Sequence, residues 1–558
     1  MDFFSKFFNI FTTKKSEVDG ISATKLRNYF IDDTILDWFN YHGLSKGFSR
    51  DESENSYFDF LLNRGNDFES MVLDKIKSKN NSFVDVKKSY DSFCQEGVDY
   101  TYSCMRDGIE IIYQGFLYDK DLKIYGIPDL LIRSDIVKDL FENNPEIVKP
   151  VNKDFCWSYY VVDIKFSTIN LGKKNQILND GNKRAYKAQI YVYNRILNNL
   201  FFGISDNFQQ PIGYILSRRI KKNGLENGLN KLCEINYNEE FYGDEVRKAL
   251  EWVRDVKENG QDWDIYNPHR DELRPNMKNR NDFPWSSAKS KLATEQRDLT
   301  RIWHVTKRMR DSGDVLGYFS DDEKRKIIKK MVDYNSDSSV ENDFSGVDLT
   351  SIFRGDTLNF YVDFEFINGC DFSFNYETRT HLYMIGVGYE ENGKWVYRNF
   401  MPDYLNNSCE KSVILSWLKF MREVVKKLGY KEYQVIHWTK AEPNLFRRLK
   451  ELLRVRGELN FVDLQPIIKS SCIVYEGMNN FSLKTVAKSM KKAGLIETEW
   501  EDSIVDGLGA NMMLIKGMRD NLRISDVDMG EIKKYNEVDC RVMYEILGYL
   551  SKSMKKNM

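Results

Sequence analysis

The order of apolar patterns in the second half of the chain constrains the fold more than any other sequence feature. Three strand-like segments come first, at residues 358–367, 381–391 and 394–400, and the dipeptide Asn392-Gly393 between the last two is a hairpin signal. Helix and strand patterns then alternate at 411–429, 433–438, 444–455, 461–464 and 533–550. The resulting order, βββαβαβα, predicts an α/β domain that opens with three antiparallel strands.

The first half of the chain carries a second α/β pattern. An apolar helix at 58–78 leads into strand patterns at 109–118, 122–134 and 159–166, and a helix at 182–200 and a strand at 212–220 follow. A polar, acidic segment at 333–348 separates the two halves. We therefore predict an α/β domain over 1–235, a helical basic connector with an acidic linker over 236–345, and the second α/β domain over 346–558.

Several classes of protein are disfavoured. The 558 residues contain no run of about 18 apolar residues and no N-terminal signal pattern, so we expect an intracellular protein without a membrane span. The eight cysteines form no CxxC pair, which disfavours a zinc ribbon or an iron–sulfur cluster. Residues 388–394 imitate a phosphate-binding loop but are followed by Trp395 instead of Ser or Thr, and we therefore expect no ATP site.

The first half contains a candidate metal site. Hydrolysis of a phosphodiester with a divalent metal requires hard oxygen ligands and a cation near the phosphate. Asp163 and Lys165 are two residues apart in a strand pattern, so they point to one face. Asp129 lies in the preceding strand pattern, and Glu69 on the earlier helix could join them. Asp163 would bind the metal, and Lys165 would orient or activate the attacking water and offset charge on the phosphate.

These residues resemble the RecB-like branch of the PD-(D/E)XK nucleases over roughly residues 21–220. Glu69 falls in a GxxxE motif, Asp129 in GIPD, Asp163 and Lys165 in DIK, and Gln189 and Tyr193 in a QxxxY motif. The resemblance implies Mg²⁺ or Mn²⁺ ligands at the three acids and catalytic roles for Lys165, Gln189 and Tyr193, the last two contacting substrate or buttressing the site. Within the first predicted domain, residues 1–235, only Cys233 follows the QxxxY motif, so the iron–sulfur cluster of some relatives is not expected.

The second half contains another set of acids. Asp363 and Glu365 are two apart on the first strand, and Tyr535 and Asp539 have the i, i+4 spacing of one helix face. Glu442 begins the helix after the strand at 433–438. Such a group could hold two divalent ions about 4 Å apart, with the tyrosine hydroxyl positioning or helping to deprotonate water.

This second pattern resembles the DEDD exonucleases of the RNase H-like fold, in the tyrosine subgroup defined by YxxxD. Asp363 and Glu365 match the first motif, and Tyr535 and Asp539 match the last. The middle motif departs from the family, because the sequence reads HWTKAE and places Glu442 where relatives have Asp. Asp463 is the alternative ligand, and the sequence leaves the choice open.

Together the two patterns resemble a two-domain class of predicted RecB-type nucleases of microbes and large DNA viruses. The resemblance implies a Mg²⁺- or Mn²⁺-dependent deoxyribonuclease, more an exonuclease than an endonuclease, acting on single- or double-stranded DNA in replication, repair or recombination. A location in the cytoplasm or a viral replication compartment would follow. Two alternatives remain: a nucleic-acid-binding scaffold in which the C-terminal site or both sites are inactive, and a nuclease that acts on RNA.

Two further segments suggest partners. Residues 1–11 place Phe4, Phe7 and Phe8 on one helical stripe, which is close to a sliding-clamp-binding peptide or would dock on the protein's own core. The connector carries Trp285 and Trp303 among basic residues and could follow a nucleic-acid backbone; the alternative is a solvated helix face with both tryptophans in the core. The basic candidates are Lys289, Lys291, Arg297, Arg301, Lys307, Arg308 and Arg310.

Overall fold

The computed structural model describes residues 19–52, 57–79, 81–204, 207–240, 242–336, 340–344, 347, 349–350, 352–368, 379–501, 514, 523–524 and 527–557. Its internal contacts divide the chain into two units. Unit 1 contains Met1–Glu52, Leu61–Pro275 and Asn279–Leu292, and unit 2 contains Ser53–Phe60, Asn276–Lys278 and Ala293–Met558. The segment 1–11, for which a clamp-binding role is predicted, lies outside the described residues.

Ten strands belong to unit 1: β1 Ile21–Ser22, β2 Phe83–Asp85, β3 Ile111–Tyr113, β4 Leu117–Asp119, β5 Ile124–Gly126, β6 Leu130–Arg133, β7 Tyr159–Asn170, β8 Ile212–Lys221, β9 Leu225–Asn227 and β10 Leu232–Asn236. The α-helices up to the division between the units are α1 Arg27–Phe30, α2 Ile35–Trp38, α3 Tyr57–Lys77, α4 Val86–Ser89, α5 Gln95–Arg106, α6 Val137–Leu140, α7 Lys183–Phe202, α8 Gly243–Asn259 and α9 Ser286–Glu295.

The main sheet of unit 1 places β7 next to its centre. The strand order is β10-β8-β7-β6-β3-β2, with β9 beside β8, and β1, β5 and β4 form a separate small sheet. β7 pairs in parallel with β8 and antiparallel with β6. The buried run from Tyr159 to Val162 explains this position, because a strand flanked by two others and covered on both faces is apolar throughout. Asp163 and Lys165, which follow this run, therefore lie in an internal strand of the sheet.

Unit 2 contains five strands and seven α-helices. The strands are β11 Thr357–Asn368, β12 Thr380–Glu391, β13 Lys394–Phe400, β14 Glu432–His437 and β15 Phe461–Asp463. The helices are α10 Lys307–Asp311, α11 Asp322–Asn335, α12 Asn407–Leu428, α13 Ala441–Leu453, α14 Leu464–Ser470, α15 Leu483–Lys492 and α16 Gly530–Asn557. These counts cover only the part of the chain that the structure describes.

The sheet of unit 2 has the order β13-β12-β11-β14-β15. β11, β12 and β13 pair antiparallel, whereas β14 pairs in parallel with β11, and β15 in parallel with β14. Val362 and Phe364 of β11 are buried in a cluster with Trp417 of α12. Because side chains alternate along a strand, Asp363 and Glu365 point to the opposite face, where the ring of Tyr361 meets Tyr544 of α16 at 5.5 Å between centroids.

The predicted α/β class is confirmed, since the chain is 44% helix and 18% strand with mixed sheets. The main strand patterns of both halves coincide with strands, but residues 122–134 form two strands, β5 and β6, with Asp129 between them and not within a strand. Residues 109–118 likewise lead into two strands, β3 and β4, instead of one. Gln114 interrupts them with a φ of 50°, a left-handed conformation that ends a strand. The small sheet of β1, β5 and β4 and the edge strand β10 were not among the predicted elements.

The predicted connector at 236–345 does not form a body of its own. Its first part joins unit 1 because α8 buries Val246, Leu250 and Val253 in the core of that unit, and its residues from 293 onward belong to unit 2. Among the described residues, none of the helices is long and apolar enough to cross a membrane.

Candidate metal centres

Three carboxylates converge on one face of the unit 2 sheet. Asp363 and Glu365 come from β11, and Asp539 comes from α16, which packs on that face. One oxygen from each of the three lies within 4.8 Å of the others, and the three side chains are buried or half-buried. In the described part of the chain, no other group of three acid, histidine or cysteine residues has this geometry. Oxygen ligands at this separation suit a hard divalent cation such as Mg²⁺ or Mn²⁺.

An asparagine that the sequence analysis did not single out holds the two strand acids. The Asn536 amide donates to Asp363 Oδ2 at 2.8 Å and to Glu365 Oε1 at 3.4 Å. The Asn536 carbonyl oxygen in turn accepts from the Tyr397 hydroxyl at 2.9 Å. This chain of bonds fixes the side-chain amide, so it orients both carboxylates without neutralising either of them.

The same asparagine depends on a glycine of the neighbouring strand. Gly386 of β12 pairs with Asp363 across the sheet, and a Cβ built at Gly386 would overlap the Asn536 side chain. Helix α16 can therefore approach the sheet only where β12 lacks a side chain. This close approach is what carries Asp539 to the strand acids.

We expect a Gly386→Ala variant to be less stable than the wild type, because the added methyl group pushes Asn536 and α16 away from β11. Overpacking of this kind costs about 1 to 3 kcal/mol, which thermal unfolding would detect. Gly548 on the same helix is the matched control, since nothing lies within 4 Å of its Cβ position. Gly548→Ala should stabilise the helix by roughly 0.5 to 1 kcal/mol. Equal behaviour of the two variants would contradict the packing role of Gly386.

Electrostatic repulsion is concentrated at these acids. Burial, followed by the charges of Asp539 and Glu365, raises the pKa of Asp363 well above its usual range. Burial also raises the pKa of Asp539, against the hydrogen bond that Trp500 Nε1 donates to its Oδ1 at 3.2 Å. Without a cation, these acids are destabilising when ionised, which is typical of a site built to bind metal and not of a structural ion pair.

This repulsion predicts a pH-dependent stability in EDTA. A carboxyl whose pKa is raised by folding stabilises the fold below its unfolded pKa of about 3.9, and that stability is lost as the pH rises through the folded pKa. The melting temperature of Asp363→Asn should therefore exceed that of the wild type by a margin that grows as the pH rises from the unfolded pKa of about 3.9 towards the raised folded pKa. Mn²⁺ should raise the wild-type value and have less effect on the variant. The control is Glu423→Gln on the exposed face of α12. A difference in melting temperature that stays constant across this range, or that the control shares, would contradict the prediction.

Glu442 and Asp463, the two candidates for the fourth ligand, differ in their partners. Glu442 at the start of α13 is buried, and its charge contributes to the raised pKa of Asp363, Glu365 and Asp539. Its Oε2 lies 3.5 Å from His437 Nδ1, and neither atom has a hydrogen-bond partner among the described residues. Asp463 Oδ1 instead accepts from the backbone amides of Thr439 and Gln465, at 2.9 and 3.0 Å. Glu442 is thus the candidate whose charge acts on all three acids.

Tyr535 lies beside a lysine that no sequence motif indicated. The Nζ atom of Lys484, in the first turn of α15, is 5.7 Å from the centre of the Tyr535 ring and 5.9 Å from that of Trp500. The charge of Lys484 also lowers the pKa of Asp539, partly offsetting its burial. The structure therefore brings a cation and the predicted tyrosine to the same border of the acid cluster.

The candidate centre of unit 1 is built around β7. Lys165 Nζ lies 2.6 Å from Asp163 Oδ2, and the Asp163 side chain is 1% exposed. Asp129, just before β6, accepts from the backbone amide of Ile164 through Oδ2 at 2.6 Å. The backbone amide of Ile164, between Asp163 and Lys165, thus holds the Asp129 carboxylate beside these two residues.

The remaining predicted residues of unit 1 surround this group. Glu69 of α3 accepts from the Tyr113 hydroxyl at 2.8 Å, and its charge raises the pKa of Asp129. Gln189 of α7 donates to the Tyr193 hydroxyl at 2.7 Å. Tyr193 is fully buried, and its ring fills the space that a Cβ at Gly126 would need. Tyr193 therefore supports the site from the interior of the protein, whereas the half-buried Gln189 lies at the border of the site.

The neighbouring charges in unit 1 determine the protonation state of Lys165. Burial would lower the pKa of Lys165, but Asp163 and Asp129 outweigh it and raise that pKa above its usual value. Burial and the charge of Asp163 also raise the pKa of Asp129. Lys165 is consequently an ammonium ion near neutral pH, so it can attract and orient a phosphate but does not act as a free base.

Two of the predicted nucleic-acid-binding residues are wrong. Lys289 is fully buried between Asp33 and Asp282, at 2.9 and 2.5 Å, and Arg310 is buried against Asp298 at 2.7 Å. Cations held in such pairs do not reach a phosphate backbone. Of the other five, Arg301 and Lys307 are half-buried, and Lys291, Arg297 and Arg308 are exposed.

One of the two tryptophans of the connector is likewise in the interior. Trp285 stacks on Phe39 at 5.5 Å between ring centroids and is 1% exposed. Its indole N–H donates to Asn40 Oδ1 at 2.9 Å. Trp285 therefore follows the alternative of a core residue, whereas Trp303 in unit 2 remains half-buried.

No protein-family model and no curated protein matches this chain.

Proposed function

We propose that the protein is a Mg²⁺- or Mn²⁺-dependent nuclease that hydrolyses phosphodiester bonds of DNA. The observation that carries the proposal is the convergence of Asp363, Glu365 and Asp539 within 4.8 Å on one face of a sheet. Four features of the chain support it further: the DIK motif, the Asp129 contact, the βββαβαβα order and the YxxxD motif. A role in DNA replication, repair or recombination inside the cell belongs to the same proposal.

In unit 2, Asp363, Glu365 and Asp539 would hold the divalent metal, with Glu442 completing the set. The metal would supply Lewis-acid activation of water and neutralise charge on the scissile phosphate. Asn536 keeps the strand acids oriented, and the Tyr535 hydroxyl positions the attacking water. We assign this unit to the tyrosine-bearing DEDD exonucleases of the RNase H-like fold, which implies removal of nucleotides from a 3′ end.

In unit 1, Glu69, Asp129 and Asp163 would hold the metal. The Lys165 ammonium group attracts the phosphate and stabilises the negative charge that develops on it. Gln189, at the border of the site, contacts the substrate or buttresses the site, and Tyr193 buttresses it. We assign this unit to the RecB-like branch of the PD-(D/E)XK nucleases.

The test is digestion of labelled DNA with one blocked end, single- or double-stranded, in Mg²⁺ or Mn²⁺. Mononucleotides released only from a free 3′ end would support unit 2, and longer products that persist when the 3′ end is blocked would support unit 1. Absence of all metal-dependent products, in DNA and in RNA of the same sequence, would contradict the proposal. Degradation of RNA alone would move the substrate class to RNA.

Glu442 gives a specific reason to consider a second function. Its longer side chain replaces the Asp of the DEDD pattern, so unit 2 could be a nucleic-acid-binding scaffold with an inactive site. Full binding of DNA without turnover in either metal, together with activity that depends on unit 1 alone, would select this alternative.

Glu442→Gln and Asp463→Ala separate the two candidates for the fourth ligand. We expect Glu442→Gln to lower the trimming rate about 10- to 100-fold and to change the metal dependence, because it removes a buried charge that acts on all three acids. Asp463→Ala should cost about 0.5 to 2 kcal/mol of stability through loss of the α14 cap, with the metal dependence unchanged. Rates measured over a Mn²⁺ titration check both, and the reverse pattern would assign the role to Asp463.

A further inference from the structure

A cluster of aromatic and basic residues in unit 2 lies outside both candidate metal centres. Lys324 of α11 and Lys469 of α14 place their Nζ atoms 5.5 and 5.2 Å from the centre of the Trp303 ring. Phe481 meets the same ring edge-on at 5.3 Å, and His304 at 4.3 Å. These five residues, here called the Trp303 cluster, come from four separate segments of the chain.

The positive charge of this cluster is not balanced. Neither Lys324 nor Lys469 forms an ion pair with any residue that the structure describes. Lys469 Nζ donates to the neutral Gln465 at 2.6 Å, and the acid acting on it, Asp463, already accepts two backbone amides. Folding therefore gathers cations around an aromatic ring without supplying an anion.

The excess of positive charge in the cluster also affects the pKa of His304. Burial lowers its pKa, and the charges of Lys324, Lys278 and Lys469 lower it further. The imidazole itself is exposed, and its backbone has a φ of 60°, a conformation that non-glycine residues adopt at a cost. An exposed, neutral imidazole beside three lysines is suited to contact a base or a sugar while the lysines contact phosphates.

We propose that the Trp303 cluster binds a single-stranded nucleic acid and delivers its end to the acid centre of unit 2. Cations that follow the backbone, next to an aromatic ring on which a base can stack, are the usual means of holding single strands without sequence preference. The alternative, cation–π packing that only stabilises the fold, would not require the lysines to remain unpaired with acids. The proposal rests on the nuclease function proposed above.

The cluster is connected to the acid centre by a short stretch of chain. The Phe481 carbonyl accepts from Trp438 Nε1 at 2.9 Å, and Trp438 follows His437, which faces Glu442. Lys484, beside Tyr535 and Asp539, comes three residues after Phe481. The Cα atoms of Phe481 and Lys484 can therefore be at most ~11 Å apart. A strand lying on the cluster therefore needs to continue by only one or two nucleotides to reach Lys484.

The test is binding of fluorescein-labelled dT20 to the full-length protein in EDTA, followed by fluorescence anisotropy. We expect Lys324→Met with Lys469→Met to weaken binding about tenfold or more and to reduce the salt slope by about 1.4, because two phosphate contacts are lost. Trp303→Leu should weaken binding about 5- to 100-fold through lost stacking. The control, Lys419→Met with Lys426→Met on the exposed face of α12, changes the net charge equally and should retain the wild-type affinity.

The outcomes separate the two proposals, because binding in EDTA does not require hydrolysis. Wild-type affinity in the Lys324 and Lys469 variant, or an equal loss in the control, overturns the inference even if the protein proves to be a nuclease. Loss of binding in a protein without turnover keeps the inference and overturns the nuclease function. Arms with rU20 and with a blunt DNA duplex identify the ligand: equal binding of dT20 and rU20 supports a sequence-tolerant single-strand surface, whereas preference for the duplex contradicts it.

Discussion

In an Asp363→Asn, Glu365→Gln double variant, the rate of 3′-directed trimming is expected to fall at least about 100-fold. Replacing only the partners of metal ligands already costs about 10- to 100-fold, and this variant removes two of the three convergent carboxylates. Both substitutions preserve side-chain size and relieve the repulsion that raises the pKa of Asp363, so the variant should be more stable than the wild type in EDTA. Release of mononucleotides from a 3′-labelled, 5′-blocked oligonucleotide measures the loss.

The combination of lower activity and higher stability distinguishes this prediction from simple unfolding. Glu423→Gln on the exposed face of α12 is the matched control and should change neither the trimming rate nor the melting temperature. Products that depend on unit 1 should persist in the double variant. Undiminished trimming in a stable variant would show that the three acids are not the centre of that reaction.

The second large effect concerns Lys165. We expect Lys165→Met to reduce cleavage by unit 1 at least about 100-fold, because the loss of one charge-stabilising group typically costs about 10²- to 10³-fold. The single variant also leaves Asp163, which is 1% exposed, without its ionic partner, and a buried, unpaired charge is destabilising. The effect is measured as the rate of cleavage of a 3′-blocked duplex in Mg²⁺.

A double variant resolves this ambiguity. Asp163→Asn with Lys165→Met removes both charges, so it should recover the melting temperature that Lys165→Met loses but not the activity. Lys149→Met, on an exposed surface of unit 1, is the control for a lost positive charge. Recovery of activity in the double variant would contradict both the role of Lys165 at the phosphate and that of Asp163 as a metal ligand.

The sequence was informative where a function depends on local spacing. Asp363 with Glu365, and Asp163 with Lys165, could be placed on shared strand faces because alternation along a strand is a property of the backbone. The order of strands and helices in unit 2 was readable for the same reason, since each pattern lies within one short segment. These local rules required no knowledge of tertiary contacts.

The misjudged residues depend on partners far away in the sequence. Lys289 resembles a surface cation in its own segment, and nothing there reveals Asp33, which lies 256 residues away and is fully buried with it. Asn536 is an unremarkable residue between Tyr535 and Asp539 until α16 meets Gly386. The Trp303 cluster likewise arises only when α11 and α14 converge on one ring. The charge pattern of the sequence alone therefore led to some residues, such as Lys289, that are buried and do not reach a nucleic acid.

The acid centre of unit 2 joins a strand to a helix that is synthesised much later. Asn536, which holds Asp363, follows it by 173 residues, so at 5 to 20 residues per second a ribosome needs about 10 to 35 s to supply α16 after β11. During that interval Asp363 and Glu365 exist without Asp539 and without the amide that aligns them. A nascent chain beside its own messenger RNA therefore carries no assembled acid cluster in this unit until the last element of the site has emerged.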